Sequence, residues 1–342
     1  MLDQKILVTG ATGFIGSYLV RYLVRQGYKN IIALKRKDSS LALVEEVKNA
    51  VTWLDADILD LPALEDAMEA VSLVYHTAAI VSFHEKGNRD MMKINVEGTA
   101  NVVNLCLEKG VEKLLHVSSI AALGRKPNDP HIDEQTPWKQ SRWNSPYGVS
   151  KYLAEMEVWR GIAEGLNAVI VNPSNVLGSG FWKGRTTTGQ MFYKVWQGLP
   201  FYPQGTSGFV DVRDTVRFMV KLMESDIYRE RFILNGENLP FKVLFEEMAK
   251  VLGVRPPFIR VNPLIRETAW RLAWVASKIS GKPAFITRQT ARSSARTFFY
   301  DNSKSLGAFP FSYTPIRETI EQTGRQFLEN VGNDFKPAVL DF

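Results

Sequence analysis

Residues 8–16 read Val8-Thr9-Gly10-Ala11-Thr12-Gly13-Phe14-Ile15-Gly16. An apolar run at 6–8 leads into them. A helical pattern follows, in which Leu19, Val20, Leu23 and Val24 share a face and Gly27 supplies the left-handed residue that ends a helix. Strand, glycine turn and helix in this order make a cradle for a pyrophosphate. Gly10 permits the tight turn, Gly13 lets backbone amides approach the phosphates, and Gly16 allows the helix to lie close on the strand. The helix N-terminus then turns free N–H groups and the positive end of its dipole toward the anion. Gly10, Thr12, Gly13, Phe14, Ile15 and Gly16 are therefore the candidate dinucleotide contacts.

Working outward, apolar runs at 6–8, 31–34, 51–54, 73–75, 114–117, 168–171 and 232–234 alternate with helical patterns. Such alternation predicts right-handed crossovers and an α/β fold, a doubly wound parallel sheet of the Rossmann type buried on both faces. The chain has 342 residues, more than the roughly 250 to 300 that one core accommodates. After Gly178 the pattern changes to longer spacings rich in Trp, Phe and Pro. We read residues 1–178, completed by 210–235, as the dinucleotide-binding domain, and 179–209 with 236–330 as a smaller, mainly helical substrate domain.

The second strand tells which dinucleotide to expect. An NAD site commonly ends that strand in Asp or Glu for the ribose 2′-hydroxyl, whereas NADP requires cations for the 2′-phosphate. This chain has Leu34-Lys35-Arg36-Lys37. Arg36 can grip a phosphate with two parallel bonds and stack on adenine, with Lys35 in support. NADP(H) is expected in preference to NAD(H); a solvated basic turn is the plain alternative.

Tyr147-Gly-Val-Ser-Lys151 falls on a helical pattern, which sets Tyr147 and Lys151 one turn apart on one face. A tyrosine titrates near 10 and is a poor base at neutral pH, but an adjacent ammonium stabilises its phenolate. Ser119 ends the strand-like run at 114–117, on the carboxyl edge where doubly wound folds bind ligands, and can donate to a carbonyl.

Composition bounds the rest. The net charge is +6, but individual basic residues are spread along the chain with Lys35–Lys37 as their longest consecutive run, which argues against a nucleic-acid partner. His76, His84, His116 and His131 show no metal-ligand spacing, and no metal is expected. The single Cys106 lies among apolar residues and reads as packing. No run of about 18 apolar residues is present to span a bilayer, and the first strand begins early, so a soluble, cytoplasmic protein is expected.

Together, Thr9-Gly-Ala-Thr-Gly-Phe-Ile-Gly16, Asp57-Ile-Leu, His76-Thr-Ala-Ala79, Asn95-Val-Glu-Gly-Thr99, Ser118-Ser119, Tyr147-x-x-x-Lys151 and Asn172-Pro-Ser-Asn175 resemble an extended short-chain dehydrogenase/reductase of the NAD-dependent epimerase/dehydratase family. The resemblance implies that Asp57 and Ile58 flank adenine, that Thr77, Ala78 and Ala79 line the cofactor, and that Pro173 lies near nicotinamide. It also implies a catalytic set of Ser119, Tyr147 and Lys151, with Asn95 ordering the site and Lys151 also bonding the nicotinamide ribose.

Three branches compete. Dehydratases carry an acidic pair after the active-site Ser or Thr, where this chain has Ile120-Ala121. Nucleotide-sugar epimerases grip a diphosphate with an Arg shortly before a Phe-x-x-Val-x-Asp segment. Here Gly208 precedes Phe209, and Arg213 reads as a salt bridge at a helix start. The chain is most similar to the dihydroflavonol-4-reductase-like and 3β-hydroxysteroid-dehydrogenase-like branch, which interconverts ketone and alcohol on small apolar substrates. An epimerase, and a dinucleotide-sensing regulator without turnover, remain the alternatives.

Residues 264–280 form a further predicted helix, capped by Asn262, opened by Pro263 and ended by Gly281 and Pro283. Its Leu264, Trp270, Ala273, Trp274 and Ile279 are expected to pack on the substrate domain with an edge over the site. Partners are expected to be a small-molecule substrate, with no nucleic acid and no stable membrane binding, and a homodimer is compatible with the pattern.

Overall fold

The computed structural model describes residues 2–82, 87–126, 129–141, 144–183, 187–280 and 287–342. Seven strands, β1 (Ile6–Thr9), β2 (Ile31–Lys35), β3 (Thr52–Asp55), β4 (Leu73–His76), β5 (Lys113–Val117), β6 (Ala168–Pro173) and β7 (Glu230–Leu234), form one parallel sheet in the order β7-β6-β5-β4-β1-β2-β3. Each coincides with an apolar run of the sequence. The register is set by pairs such as Ile6 with Ile31 and with Leu73, Leu114 with Ala168, and Phe232 with Val171.

Side-chain alternation divides each strand between two cores. Ile6, Val8, Val169 and Val171 face one side, where α1 (Phe14–Arg25) supplies Leu19 and Leu23. Leu7, Ile170 and Val74 face the other, where α2 (Gly98–Glu108) supplies Val102, Val103 and Cys106 and α3 (Pro146–Ala163) supplies Val158. Helix α4 (Val212–Glu224) returns to the first side with Val216, Phe218 and Met219. Cys106 is a fully buried free thiol whose pKa is raised by burial, so it is core rather than nucleophile.

The strand order reverses between β1 and β4, and a doubly wound sheet binds ligands in the crevice that this reversal opens at the carboxyl ends. Above those ends lies a second core of Trp182, Phe192, Phe209, Leu244, Met248 and Phe327. It is roofed by α5 (Phe241–Leu252) and later by the helix Ile316–Val331. A small sheet ties it down, with Thr206–Asp211 parallel to Asn175–Leu177 and antiparallel to Glu237–Pro240. Of the stretch 210–235, only β7 enters the main sheet, because Asp211 caps α4 and the chain crosses as helix first.

Helix α6 spans Pro263–Ser280, and Asn262 caps it through a bond from Ile265 N to Asn262 Oδ1 of 2.8 Å. Gly281 and Pro283, expected to end it, lie outside the described residues. The expected burial differs. Leu264 is 74% exposed, Trp274 55% and Ile279 83%, while Trp270 and Ala273 are part-buried, and the main packing partner of α6 among the described elements is the short helix Arg288–Ser293.

Candidate functional site

The glycine turn has the geometry its spacing implies. Gly10 adopts φ +68°, and a Cβ on it would stand 2.7 Å from the Ala78 backbone. A Cβ on Gly16 would stand 2.2 Å from Gly10 O, so only glycine lets α1 lie this close to β1. Gly13 N donates to Gly10 O at 2.9 Å and opens α1 with no side chain capping it. Thr12, Phe14 and Ile15 are part-buried around this turn. Next door, Thr77 Oγ1 donates to Thr9 O at 2.7 Å and Ala78 N to Thr9 Oγ1 at 3.3 Å, which stitches the end of β4 to the end of β1. Ala79 beyond them is exposed.

At the far end of the crevice, Lys35 is ion-paired with Asp55 at the tip of β3. Arg36 is exposed, and among the described residues nothing bonds its guanidinium. Of the two cations expected to hold a 2′-phosphate, Arg36 is thus free to act and Lys35 is already matched. Asp57 makes a turn by accepting from Leu59 N at 2.9 Å. Ile58 is buried against Gly98, where a Cβ would come within 2.4 Å of its Cδ1, and its carbonyl takes a 2.9 Å bond from Asn101 Nδ2.

Ser145 caps α3 by accepting from Gly148 N at 2.8 Å, and Pro146 opens the helix. This sets Tyr147 over the end of β5, where a hydrogen bond from Ser119 eases a phenol pKa that burial otherwise raises. Ser119 Oγ also accepts from Ala121 N at 3.1 Å. One turn on, Lys151 is buried and donates to Val117 O at 2.8 Å. Burial pushes its pKa down to about 8, against the pull of the Glu155 carboxylate. Tyr147, Ser119 and Lys151 thus meet at the carboxyl edge, as the sequence predicts, and Pro173 is buried at the end of β6.

Asn95 does not bond these groups directly. It lies in a wide π-type turn, Lys93–Glu97, preceding α2. Its amide accepts from Ile80 N at 2.8 Å and donates to Ile80 O at 2.9 Å and to Ser150 Oγ at 3.0 Å. Ser150 in turn bonds Tyr147 O at 2.8 Å, so Asn95 positions the start of α3.

Two features were not legible as site residues. Glu155, one further turn along the Tyr147-Lys151 face, is fully buried and accepts from Ser118 Oγ at 2.7 Å, Asn172 Nδ2 at 2.9 Å and Arg231 Nη1 at 2.8 Å. Its spacing of four after Lys151 was the available signal. His76 bridges Thr9 Oγ1 at 2.7 Å and Thr99 Oγ1 at 3.0 Å. Since Thr99 donates to Asn95 O at 2.6 Å, it accepts from Nε2–H, and Nδ1 accepts from Thr9. Burial, with the charge of Lys151, holds His76 neutral at a pKa of about 3. His131 is exposed and His84 lies outside the described residues. Among the described residues no group of His, Cys, Asp or Glu is arranged to hold a metal ion.

Beyond Ser119 the mouth is basic. Arg125 donates to Leu123 O at 2.8 Å, to Ile120 O at 3.3 Å and to the Tyr300 hydroxyl at 3.2 Å, with its guanidinium 4.7 Å from the centre of the Phe298 ring. Arg296 is docked on the small sheet by a 3.1 Å bond from Thr206 N to its carbonyl, and its pKa is lowered by burial and by the charges of Arg125, Arg292 and Arg266. Gly208 has no room for a longer residue, because a Cβ there would stand 2.2 Å from Asn235 Oδ1. Arg213 pairs with Asp211 at 2.7 Å and opens α4, the structural role expected of it. A separate hollow of about 490 Å³, lined by Trp138, Tyr152, Met156 and Lys304 among others, contains none of the proton-transfer groups.

Comparison with known proteins gives the family of the chain. The chain is 28% identical over 326 residues to a putative dihydroflavonol 4-reductase of Synechocystis sp., covering 92% of this chain and 91% of that one. It is 31% identical over 265 residues to tetraketide alpha-pyrone reductase 2 of Arabidopsis thaliana, covering 72% and 82%. The crystal structure of gox2253 superimposes with a TM-score of 0.80 at 31% identity, covering 96% of this chain and 99% of that one. The model of the NAD dependent epimerase/dehydratase family matches residues 6–232, which contain the glycine turn, Ser119, Tyr147 and Lys151, and the chain belongs to that family.

Proposed function

We propose that this enzyme interconverts a ketone and a secondary alcohol on a small, largely apolar substrate, with NADP(H) preferred over NAD(H). The observation that carries the reading is the Ser119–Tyr147 hydrogen bond beside the buried Lys151, at the same sheet edge as the glycine turn. The cradle suits a dinucleotide, because a Cβ on Gly10 would run into the Thr77–Ala78 backbone and one on Gly16 into Gly10 O and Thr77 Oγ1, and the start of α1 carries no side-chain cap. Gly10, Gly13 and Gly16 would hold the pyrophosphate and Arg36 the 2′-phosphate. The bound nicotinamide supplies or accepts the hydride.

The chain's own residues handle the oxygen and its proton. Ser119 and Tyr147 present two hydroxyls to one carbonyl oxygen, and the Tyr147 hydroxyl delivers the proton on reduction. Lys151 stabilises the phenolate left behind, and its low pKa keeps it poised near neutral pH. His76, held neutral, adds no competing charge beneath them. That a dihydroflavonol 4-reductase and a tetraketide alpha-pyrone reductase are among its relatives supports this direction of chemistry.

One observation favours a second reading. Arg125, Arg266, Arg292 and Arg296 gather near the mouth, and such a cluster suits a diphosphate even though Gly208 excludes the cation expected there. A nucleotide-sugar epimerase would use it. The test is turnover of a panel of aryl and polycyclic ketones with NADPH and with NADH. Tyr147→Phe should lower kcat by at least about 10²-fold and leave cofactor affinity intact, since the ring still packs but no proton is delivered. Near-normal kcat in that variant would overturn the reading.

A further inference from the structure

Helix α6 carries its apolar residues outward. Leu264, Leu272, Val275 and Ile279, with Thr268 between the first two, recur at spacings of three and four and therefore share one side. Leu272 is 70% exposed, Val275 47% and Ile279 83%, and the neighbouring Trp274 is 55% exposed. Ile265 and Trp270 are part-buried, the latter with Arg271 and Arg288 over its ring. Large side chains on one stripe of a globular protein mark a surface that meets something else.

Charge says what that is. Residues 263–296 hold seven Lys and Arg against one acid, Glu267, a net charge of +6 that equals the formal net charge of the whole chain. The remainder of the molecule is balanced. On α6 the cations flank the apolar stripe, with Arg271 and Lys278 exposed and Lys278 Nζ 5.5 Å from the centre of the Trp274 ring. Glu267 is already paired with Arg271 at 3.0 Å.

A second copy of the chain would press two such basic segments together and be repelled. An anionic bilayer meets both demands, because acyl chains cover the apolar stripe while phosphate headgroups match the flanking cations. Among the described residues no helix is long and apolar enough to cross a membrane, so α6 would lie in the interface plane. We propose that α6 docks this protein on an anionic lipid surface. Periodicity alone favours packing for this segment; its exposure reverses that weight. Arg266, in the first turns of α6, adds its charge to that of Arg125 and Arg292 on Arg296, so the basic character of α6 continues into the segment after it. The docking itself does not depend on which reaction the site performs.

The test uses the full chain with phosphatidylcholine vesicles, with and without phosphatidylglycerol, read by co-sedimentation and tryptophan emission in the absence of substrate. Binding is expected to the anionic vesicles, weakening as salt rises. Leu272→Asp with Ile279→Asp should lower partitioning at least about tenfold with an unchanged melting curve, because both positions are exposed in the free protein. Arg271→Glu with Lys278→Glu should weaken it as well. Failure to sediment with anionic vesicles would overturn the proposal, as would equal sedimentation of the Leu272/Ile279 variant or a vesicle-independent dimer that this variant dissolves.

Discussion

At the scale of single residues, the basic turn after β2 places Arg36, read from the sequence as the main phosphate ligand, and Lys35, read as its support, in different surroundings. Lys35 is held by Asp55, whereas Arg36 extends into solvent with no partner among the described residues. A charge-assisted pair with a 2′-phosphate contributes roughly 1.5 to 3 kcal/mol. Arg36→Ala should therefore weaken NADP binding by about tenfold or more and leave NAD binding nearly unchanged, because NAD has no phosphate there. Titration of both cofactors against both proteins checks this, and equal losses would remove Arg36 from the site. Lys35→Ala should cost less, since Asp55 already offsets its charge.

At the scale of elements, α3 places Tyr147, Lys151 and Glu155 on successive turns of one face. Glu155 counteracts the burial that lowers the pKa of Lys151, so Glu155→Gln removes a support of the charged ammonium and the pKa falls below its present value of about 8. Lys151 carries its charge only below that pKa. The alkaline limb of the kcat/KM profile should accordingly move to lower pH, and an identical limb in both proteins would contradict the coupling. The variant should also lose stability, by at most about 3 to 5 kcal/mol, because Arg231 is left without its anion. The Arg231 bond to Glu134 O at 2.8 Å limits that loss. None of this network was legible, since Arg231 and Glu155 are 76 positions apart in the chain. The elements themselves were: each strand of a parallel sheet buried on both faces is a short apolar run, and the glycine turn and the Tyr147–Lys151 spacing are local patterns. Helix α6 marks the limit. Asn262 and the periodicity announce the helix and its apolar side, yet periodicity does not say what that side meets, and the structure leaves it uncovered.

At the scale of the whole molecule, the sheet edge gathers Ser119, Tyr147 and Lys151, Arg125, Arg266 and Arg292 act electrostatically on Arg296, and α6 carries an apolar, basic flank. These parts fit a reductase that takes an apolar ketone, while the gathered arginines favour an anionic ligand. The two chemistries differ in the fate of the hydride. A reductase consumes one cofactor for each product, whereas an epimerase returns the hydride to the molecule it came from and leaves the cofactor unchanged. The decisive measurement is therefore turnover with NADPH deuterated at the transferable position, following cofactor oxidation and product mass together. Ketone reduction at Ser119, Tyr147 and Lys151 gives one deuterium in each alcohol and one oxidised cofactor for each product, and Tyr147→Phe abolishes both. Product formed with no net cofactor oxidation and no deuterium gained would contradict it.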